Sequence, residues 1–128
     1  MKTAVLCFGN EFVKMDSLPV TLCKKLKNKI PSVEFVNCES PNEIMDYADY
    51  DDVFILDTVK GIKDVCIIYD LNLLRNRKIF TLHDFDLGFF LKLLNNVKKM
   101  KNIKIIGIPV GYQENEAEKK IEKILRRI

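Results

Sequence analysis

The chain has 128 residues, of which 48% are hydrophobic and 30% are charged, and its formal net charge is +3. This length fits a single domain, residues 1–128, whose core can be stable without disulfides or structural metals. The small charge is spread over interspersed basic and acidic residues, which gives no basis for nucleic-acid binding. No apolar run reaches transmembrane length and no signal peptide precedes the first predicted strand, so we expect a cytoplasmic protein that binds no membrane.

The first half of the chain alternates strand and helix patterns. Apolar runs predict strands, whereas leucines at every fourth position, beginning with Leu18, predict an amphipathic helix. Two helix starts combine serine with proline, at Ser17 and Ser40, because serine caps free N–H groups and proline is tolerated in a first turn. In chain order the predicted elements are strand 3–8, a helix from residue 17, strand 33–38, a short helix from residue 40, and strand 53–57.

The second half begins with a less regular stretch. Residues 65–69 and residues 79–82 each predict a strand. We expect these two strands to form a hairpin, which would place an antiparallel strand at the sheet edge. A helix is predicted after His83, because Asp84 and Asp86 are favourable first-turn acids and an apolar stripe follows. Residues 103–108 form the last predicted strand, and the last helix begins near Glu114.

This alternation predicts an α/β fold. Strands that are separated by helices pair in parallel through crossover connections, and helices then cover both faces of the sheet. We therefore expect a three-layer α/β/α sandwich with a mostly parallel sheet of about five strands and one antiparallel edge strand. The four cysteines show no CxxC spacing, and most lie in or beside apolar strand-like runs, so we expect them to be free thiols in a reducing compartment.

Three polar residues follow predicted strands. Asp57 ends the apolar run 53–57, Asp16 follows the first strand, and His83 follows the run 79–82. Ligand sites of open α/β sheets form at the carboxyl ends of strands, and carboxylates with histidine are common metal ligands. Each residue also has an ordinary structural explanation: Asp57 as a turn residue, Asp16 as a helix cap, and His83 as a structural histidine.

Taken with their flanking residues, the three positions resemble the hydrogenase maturation endopeptidases. Gly9-Asn10 followed by Asp16 is similar to the family's GNxLxxD[DE] opening, and Leu56-Asp57-Thr58 is similar to its strand that ends in Asp-Ala. The segment 82–87 around His83 resembles PHxLGL, and the segment 107–111 resembles the GIxPE-like stretch after the last strand. These short motifs occur in the family's order along most of the chain.

The sequence also departs from the family's pattern. Met15 occupies the first acidic position of the opening pair, and Ser17 stands where a small residue, often glycine, is usual. Cys7 replaces the glycine two residues before Gly9, and Asp86 replaces the glycine of PHxLGL. The three candidate ligands are unaffected by these changes, which bear on the substrate and on whether the chain cleaves it.

The resemblance implies an endopeptidase that removes a C-terminal peptide from the large-subunit precursor of a nickel–iron hydrogenase. Asp16, Asp57 and His83 would be its catalytic and metal-contacting residues, and the nickel would be carried by the substrate rather than bound permanently. A substrate without nickel would lack this tether and be released. No Ser-His-Asp arrangement and no HExxH helix is present as a rival protease site.

Two other functions are compatible with parts of the pattern. A non-catalytic nickel-checking factor would have the same fold and ligands but would bind the large subunit without cutting it. A phosphoacceptor receiver domain also has an aspartate at the end of its third strand. That domain needs an acidic cluster after strand one and a lysine after strand five, and here Gly9-Asn10 and Pro109 stand at those places.

Overall fold

The computed structural model describes residues 2–69, 80–81 and 103–128, with the backbone alone at 80–81. The strands are β1 (Thr3–Phe8), β2 (Val33–Cys38), β3 (Asp52–Lys60), β4 (Cys66–Ile68), β5 (Phe80–Thr81) and β6 (Ile103–Pro109). The helices are α1 (Leu18–Lys29), α2 (Glu114–Arg126) and two short 3-10 helices, Lys14–Asp16 and Pro41–Tyr47.

The sheet has six strands, of which five follow one another in the order β2-β1-β3-β6-β4, while the short β5 pairs with β3. The first four in this order pair in parallel, and β4 pairs antiparallel with β6 at one edge. The predicted mostly parallel sheet with an antiparallel edge strand is therefore confirmed. The predicted hairpin is wrong, because β4 pairs with β6, whereas the two-residue β5 pairs antiparallel with the end of β3.

Helices cover both faces of this sheet. Alternate residues of a strand face opposite sides, and in β3 Phe54 and Leu56 belong to the core that α1 and α2 cover together. Ile55 and Val59 belong to the second core, onto which the 3-10 helix Pro41–Tyr47 places Ile44. The helix predicted after His83 lies outside the described residues.

Local capping explains where the elements begin. The side chain of Ser40 accepts a hydrogen bond from Asn42 N–H (3.3 Å), and the side chain of Glu43 accepts one from Ser40 N–H (2.8 Å), which together form a capping box. α2 begins where predicted, because the Gln113 side chain accepts a bond from Glu116 N–H (2.8 Å). Ser17 precedes α1 but forms no side-chain cap, since its hydroxyl donates to the Lys14 carbonyl instead (3.1 Å).

The four cysteines are free thiols, as expected. Cys7 and Cys23 are both buried between the sheet and α1, and the Cys7 thiol donates to the Val5 carbonyl (3.9 Å). Burial raises the pKa of the Cys7 thiol well above its ordinary value, so this thiol is uncharged at neutral pH. Within the described part of the chain, no helix is long and apolar enough to cross a membrane.

Candidate functional site

Asp57 lies inside a strand rather than at its end. β3 continues three residues further, to Lys60, so the prediction that the strand ends at Asp57 is wrong. The side chain is fully buried (0% exposed), and its Oδ1 accepts a hydrogen bond from the N–H of Thr58 (2.9 Å). A carboxylate in a strand interior is not a surface turn residue, which removes the structural explanation that the sequence left open for it.

A glycine of the neighbouring strand lies opposite this carboxylate. Asp57 pairs with Gly107 of β6, so both residues face the same side of the sheet. A Cβ at position 107 would lie 3.0 Å from Val59 Cγ2 and 3.1 Å from Ile62 Cδ1. Glycine at this position therefore allows Val59 and Ile62 to pack close to the strand on the face that Asp57 shares.

Asp16 is positioned by a loop that folds back over the end of β1. The N–H of Asn10 donates to the Asp16 carbonyl (2.9 Å), and the N–H of Asp16 donates to the Val13 carbonyl (2.8 Å). A Cβ on Gly9 would lie only 2.6 Å from the Asp16 carbonyl oxygen, so this close approach requires glycine at position 9. Asp16 ends a 3-10 helix and does not cap α1, whose N-cap is Ser17.

The topology brings the two acids to the same end of the sheet. β1 and β3 are parallel neighbours, and Cys7 lies opposite Leu56, so the end of β1 is level with Asp57. The loop that carries Asp16 leaves β1 at that level. Asp16 is half-buried and Asp57 is buried, and both take part in further interactions, so neither is an isolated charge.

The third predicted ligand, His83, lies outside the described residues. Within the ranges 2–69, 80–81 and 103–128, no three histidine, cysteine, aspartate or glutamate side chains lie close enough together to hold a metal ion. The described part of the chain thus supplies two carboxylates at one end of the sheet. Oxygen ligands of this kind can complete the coordination of a metal that other ligands already hold.

A pocket of about 460 Å³ lies at the same end of the sheet as these two acids. Its lining includes the residues on both sides of Asp16 in the sequence and the residue that follows Asp57. Most of the surface is apolar, and the lining residues are Lys14, Met15, Ser17, Leu18, Thr58, Pro109, Val110, Gly111 and Tyr112. The sequence analysis did not predict this pocket, because the three chain segments that form it are far apart in sequence.

One wall of the pocket is held by a polar cluster that the sequence analysis also missed. Tyr112 donates its hydroxyl hydrogen to Asp64 Oδ1 (2.6 Å), and Lys120 Nζ donates to both Asp64 Oδ1 (2.6 Å) and the Tyr112 oxygen (2.6 Å). These bonds lower the pKa of the Asp64 carboxyl from its ordinary 3.8 to about 2. The cluster fixes Tyr112 against α2 and against the loop between β3 and β4.

Basic residues of α1 are paired with acids rather than gathered into an anion-binding surface. Lys25 pairs with Glu114, and Lys29 pairs with Glu118 (2.8 Å), across the interface between α1 and α2. Lys24 lies 3.5 Å from Glu11.

The sequence matches no family model, and no curated protein matches it significantly. Several solved structures share its fold. The NiFe hydrogenase maturation protease HybD from Thermococcus kodakarensis has a TM-score of 0.72 and 21% identity, covering 99% of this chain and 98% of that one. The hydrogenase maturating endopeptidase HybD from E. coli has a TM-score of 0.71 and 18% identity, covering 99% and 93%.

A third structure, the maturation protease HycI from Thermococcus kodakarensis, has a TM-score of 0.68 and 21% identity, covering 98% of this chain and 90% of that one. Over nearly its whole length, the chain therefore has the fold of the hydrogenase maturation proteases. This is the fold that the four sequence motifs implied.

Proposed function

We propose that this protein is an endopeptidase that removes a C-terminal peptide from a nickel-loaded nickel–iron hydrogenase large subunit in the cytoplasm. The observation that carries the proposal is that Asp57 in β3 and the loop that carries Asp16 after β1 lie at the same end of two adjacent parallel strands. The solved structures with the same fold are hydrogenase maturation proteases, which supports this role. His83 is the third residue of the proposed site.

In this proposal the nickel belongs to the substrate. The large subunit holds it through cysteine thiolates, and Asp16, Asp57 and His83 complete its coordination when the precursor binds. A precursor without nickel would lose these contacts and dissociate, so cleavage would follow metal loading. The carboxylates must be ionised and the histidine neutral to contact the metal.

Cleavage adds one water molecule across a peptide bond near the nickel. The water oxygen bonds to the peptide carbonyl carbon, the carbon–nitrogen bond breaks, and the leaving nitrogen takes a proton. A carboxylate of the site can accept the proton of the attacking water, and a metal can polarise the carbonyl. Both routes use the same residues.

The proposal is tested by incubating the protein with nickel-loaded and apo large subunit and measuring the intact masses of the products. We expect loss of a C-terminal peptide from the nickel-loaded form alone. Binding of both forms without any mass change would contradict a protease.

We also expect Asp57→Asn and Asp16→Asn to abolish processing while the folded domain remains. Asp52→Asn is the matched control, because Asp52 is a carboxylate at the opposite end of the same strand, 9% exposed and 3.6 Å from Lys104. Circular dichroism separates loss of activity from loss of fold. Normal processing by the Asp57→Asn variant would refute the assigned site.

A non-catalytic nickel-checking factor is the second candidate. Met15 favours it, because an exposed methionine (47% exposed) stands beside Asp16 where the family pattern has an acid. Such a protein would bind the nickel-loaded precursor in preference to the apo form and would leave its mass unchanged. Co-purification followed by intact-mass measurement distinguishes the two functions.

A further inference from the structure

The pocket lies at the same end of the sheet as Asp16 and Asp57. Met15 and Ser17, which flank Asp16, and Thr58, on the face of β3 that α1 and α2 cover, contribute to its wall. A polypeptide bound at this end of the sheet would pass close to the pocket. The inference below rests on the proposed function, because it takes that polypeptide to be the large-subunit precursor.

The same three residues are places where the sequence departs from the pattern it resembles. Methionine stands in place of an acid, serine in place of a smaller residue, and threonine in place of the alanine of Asp-Ala. They are separated by about forty residues in the sequence, yet they line one pocket in the structure. These three departures from the family pattern lie together, so this pocket is where we expect the substrate contacts of this chain to differ from the family's.

Thr58 lines this pocket, and its hydroxyl is a buried polar group without a hydrogen-bond partner among the described residues. Thr58 is 2% exposed. Buried hydroxyls in proteins are nearly always hydrogen-bonded. A hydroxyl both donates and accepts, so it suits either an N–H or a C=O group of a bound peptide backbone.

The other polar groups of the lining have their own partners, apart from one charge. The Ser17 hydroxyl donates to the Lys14 carbonyl, and the Tyr112 hydroxyl is held by Asp64 and Lys120. Lys14 is the charged residue of the lining, and it forms no ion pair within the described residues. Its ammonium group favours an occupant that carries a carboxylate.

The remaining surface is apolar and open to solvent. Met15 is 47% exposed and Val110 is 38% exposed, and Leu18 and Pro109 also line the pocket. Apolar surface that is exposed in a concave site is typical of a binding site for an apolar group. The pocket thus combines an apolar wall, one buried hydroxyl and one positive charge.

We propose that this pocket binds one apolar side chain of the precursor's C-terminal segment, with the Thr58 hydroxyl bonded to the segment's backbone and Lys14 facing a carboxylate of the segment. The carboxylate is either an acidic side chain or the terminal carboxylate. Thr58 is then a specificity-determining residue, whereas Asp16 and Asp57 remain the metal-contacting residues.

The first test compares Thr58→Val with Thr58→Ser in time courses of precursor processing. Valine keeps the shape of threonine and removes the hydroxyl, so we expect KM for the nickel-loaded precursor to rise about fivefold to tenfold, the effect of one hydrogen bond. Serine keeps the hydroxyl and should restore KM. Thr3→Val, at the opposite end of the sheet, is the matched control and should leave KM unchanged.

A structural role for Thr58 would give a different result. Because its hydroxyl has no partner among the described residues, Thr58→Val should leave Tm unchanged or raise it. An unchanged KM in Thr58→Val, with processing intact, would overturn the pocket assignment while the proposed function stands. Failure of the wild-type protein to bind or shorten any nickel-loaded precursor would overturn both.

The second test locates the segment and its carboxylate. A photo-crosslinking residue at Leu18 should attach to the C-terminal segment of the bound precursor, whereas one at Lys24, 71% exposed and outside the pocket lining, should not. Crosslinks from position 18 to another part of the precursor would overturn the proposal.

Two changes of the precursor identify the carboxylate. Amide replacements of the tail's acidic side chains raise KM if an acidic side chain binds, whereas a one-residue extension of the tail raises KM if the terminal carboxylate binds. In the Lys14→Gln variant neither change should raise KM. If neither change raises KM with the wild-type protein, the role of Lys14 is refuted.

Discussion

Gly9 shows how a single position can determine the geometry of a site. Its missing Cβ allows the Asp16 carbonyl to approach, and the N–H of Asn10 then closes the loop by donating to that carbonyl. Asp16 owes its place above the end of β1 to this contact. Glycine is therefore needed at position 9 so that the loop can pack closely, and not for the geometry of β1.

Gly9→Ala is expected to lower the free energy of unfolding by about 2 kcal/mol, because the added methyl group would overlap a backbone oxygen that cannot move without opening the loop. Gly111→Ala should cost less, about 1 kcal/mol, since its Cβ would meet nothing within 4 Å and only its positive φ of 77° is unfavourable. Urea denaturation measures both. Equal losses in the two variants would contradict the steric explanation.

The 3-10 helix Pro41–Tyr47 illustrates how a short element is held in place. It has few internal bonds, so its position depends on the capping box at Ser40 and on one buried side chain, Ile44. Ile44 is fully buried against the core that contains Leu6 and Ile55. Packing rather than intrinsic helix propensity stabilises this element.

Ile44→Ala is therefore expected to destabilise the domain by about 3 kcal/mol, through lost burial and the cavity that remains. The adjacent Met45→Ala is the matched control, because Met45 is 42% exposed and its truncation should change stability by less than about 0.5 kcal/mol. Thermal unfolding of the two variants gives the comparison. A similar loss in both would show that the side chain of Ile44 does not anchor the helix.

The Asp64–Tyr112–Lys120 cluster joins the loop after β3 to α2, and it makes stability depend on pH. The pKa of Asp64 is lowered to about 2 in the folded protein, first by its bond from Lys120 and then by its bond from Tyr112. The stabilisation is present above pH 3.8, the ordinary pKa, and is lost as the pH falls from 3.8 towards 2. NMR titration of the Asp64 carboxyl should show its midpoint near the lower value.

Asp64→Asn is the control for this prediction. The variant lacks the titrating group, so the difference in stability between it and the wild type should shrink as the pH falls through that window. Because the cluster is exposed to solvent, added salt should also reduce the difference. A difference that stayed constant between pH 5 and pH 2 would rule out the contribution of Asp64.

For the whole molecule, residue patterns predicted the architecture well because β1, β3 and β6 are mostly apolar runs and β2 alternates buried and exposed residues. The third run predicted β3, and its acid predicted a site at that end of the sheet. The predicted end of β3 was three residues too early. Thr58 and Val59 favour strand structure, and β6 supplies backbone pairing partners for both of them. Boundaries that depend on a partner strand are not present in a local pattern.

The pocket could not be predicted from sequence for a related reason. Thr58 looks like an ordinary strand threonine, and only the fold shows that it lines a pocket with residues of two distant segments. Ser17 was predicted to cap α1, but the 3-10 helix before it supplies a competing carbonyl at Lys14. Tertiary neighbours determined both outcomes. The place of His83 in the site stays a prediction.

The central position of β3 also has a consequence for synthesis on the ribosome. β1 and β2 precede β3 in the chain, but its other neighbour, β6, begins at Ile103, 43 residues after Lys60. At translation rates of roughly 5–20 residues per second, one edge of an apolar strand lacks this partner for about 2 to 9 seconds. An open strand edge is a template for pairing with other chains. The nascent chain is therefore most prone to aggregation before residue 103 is made.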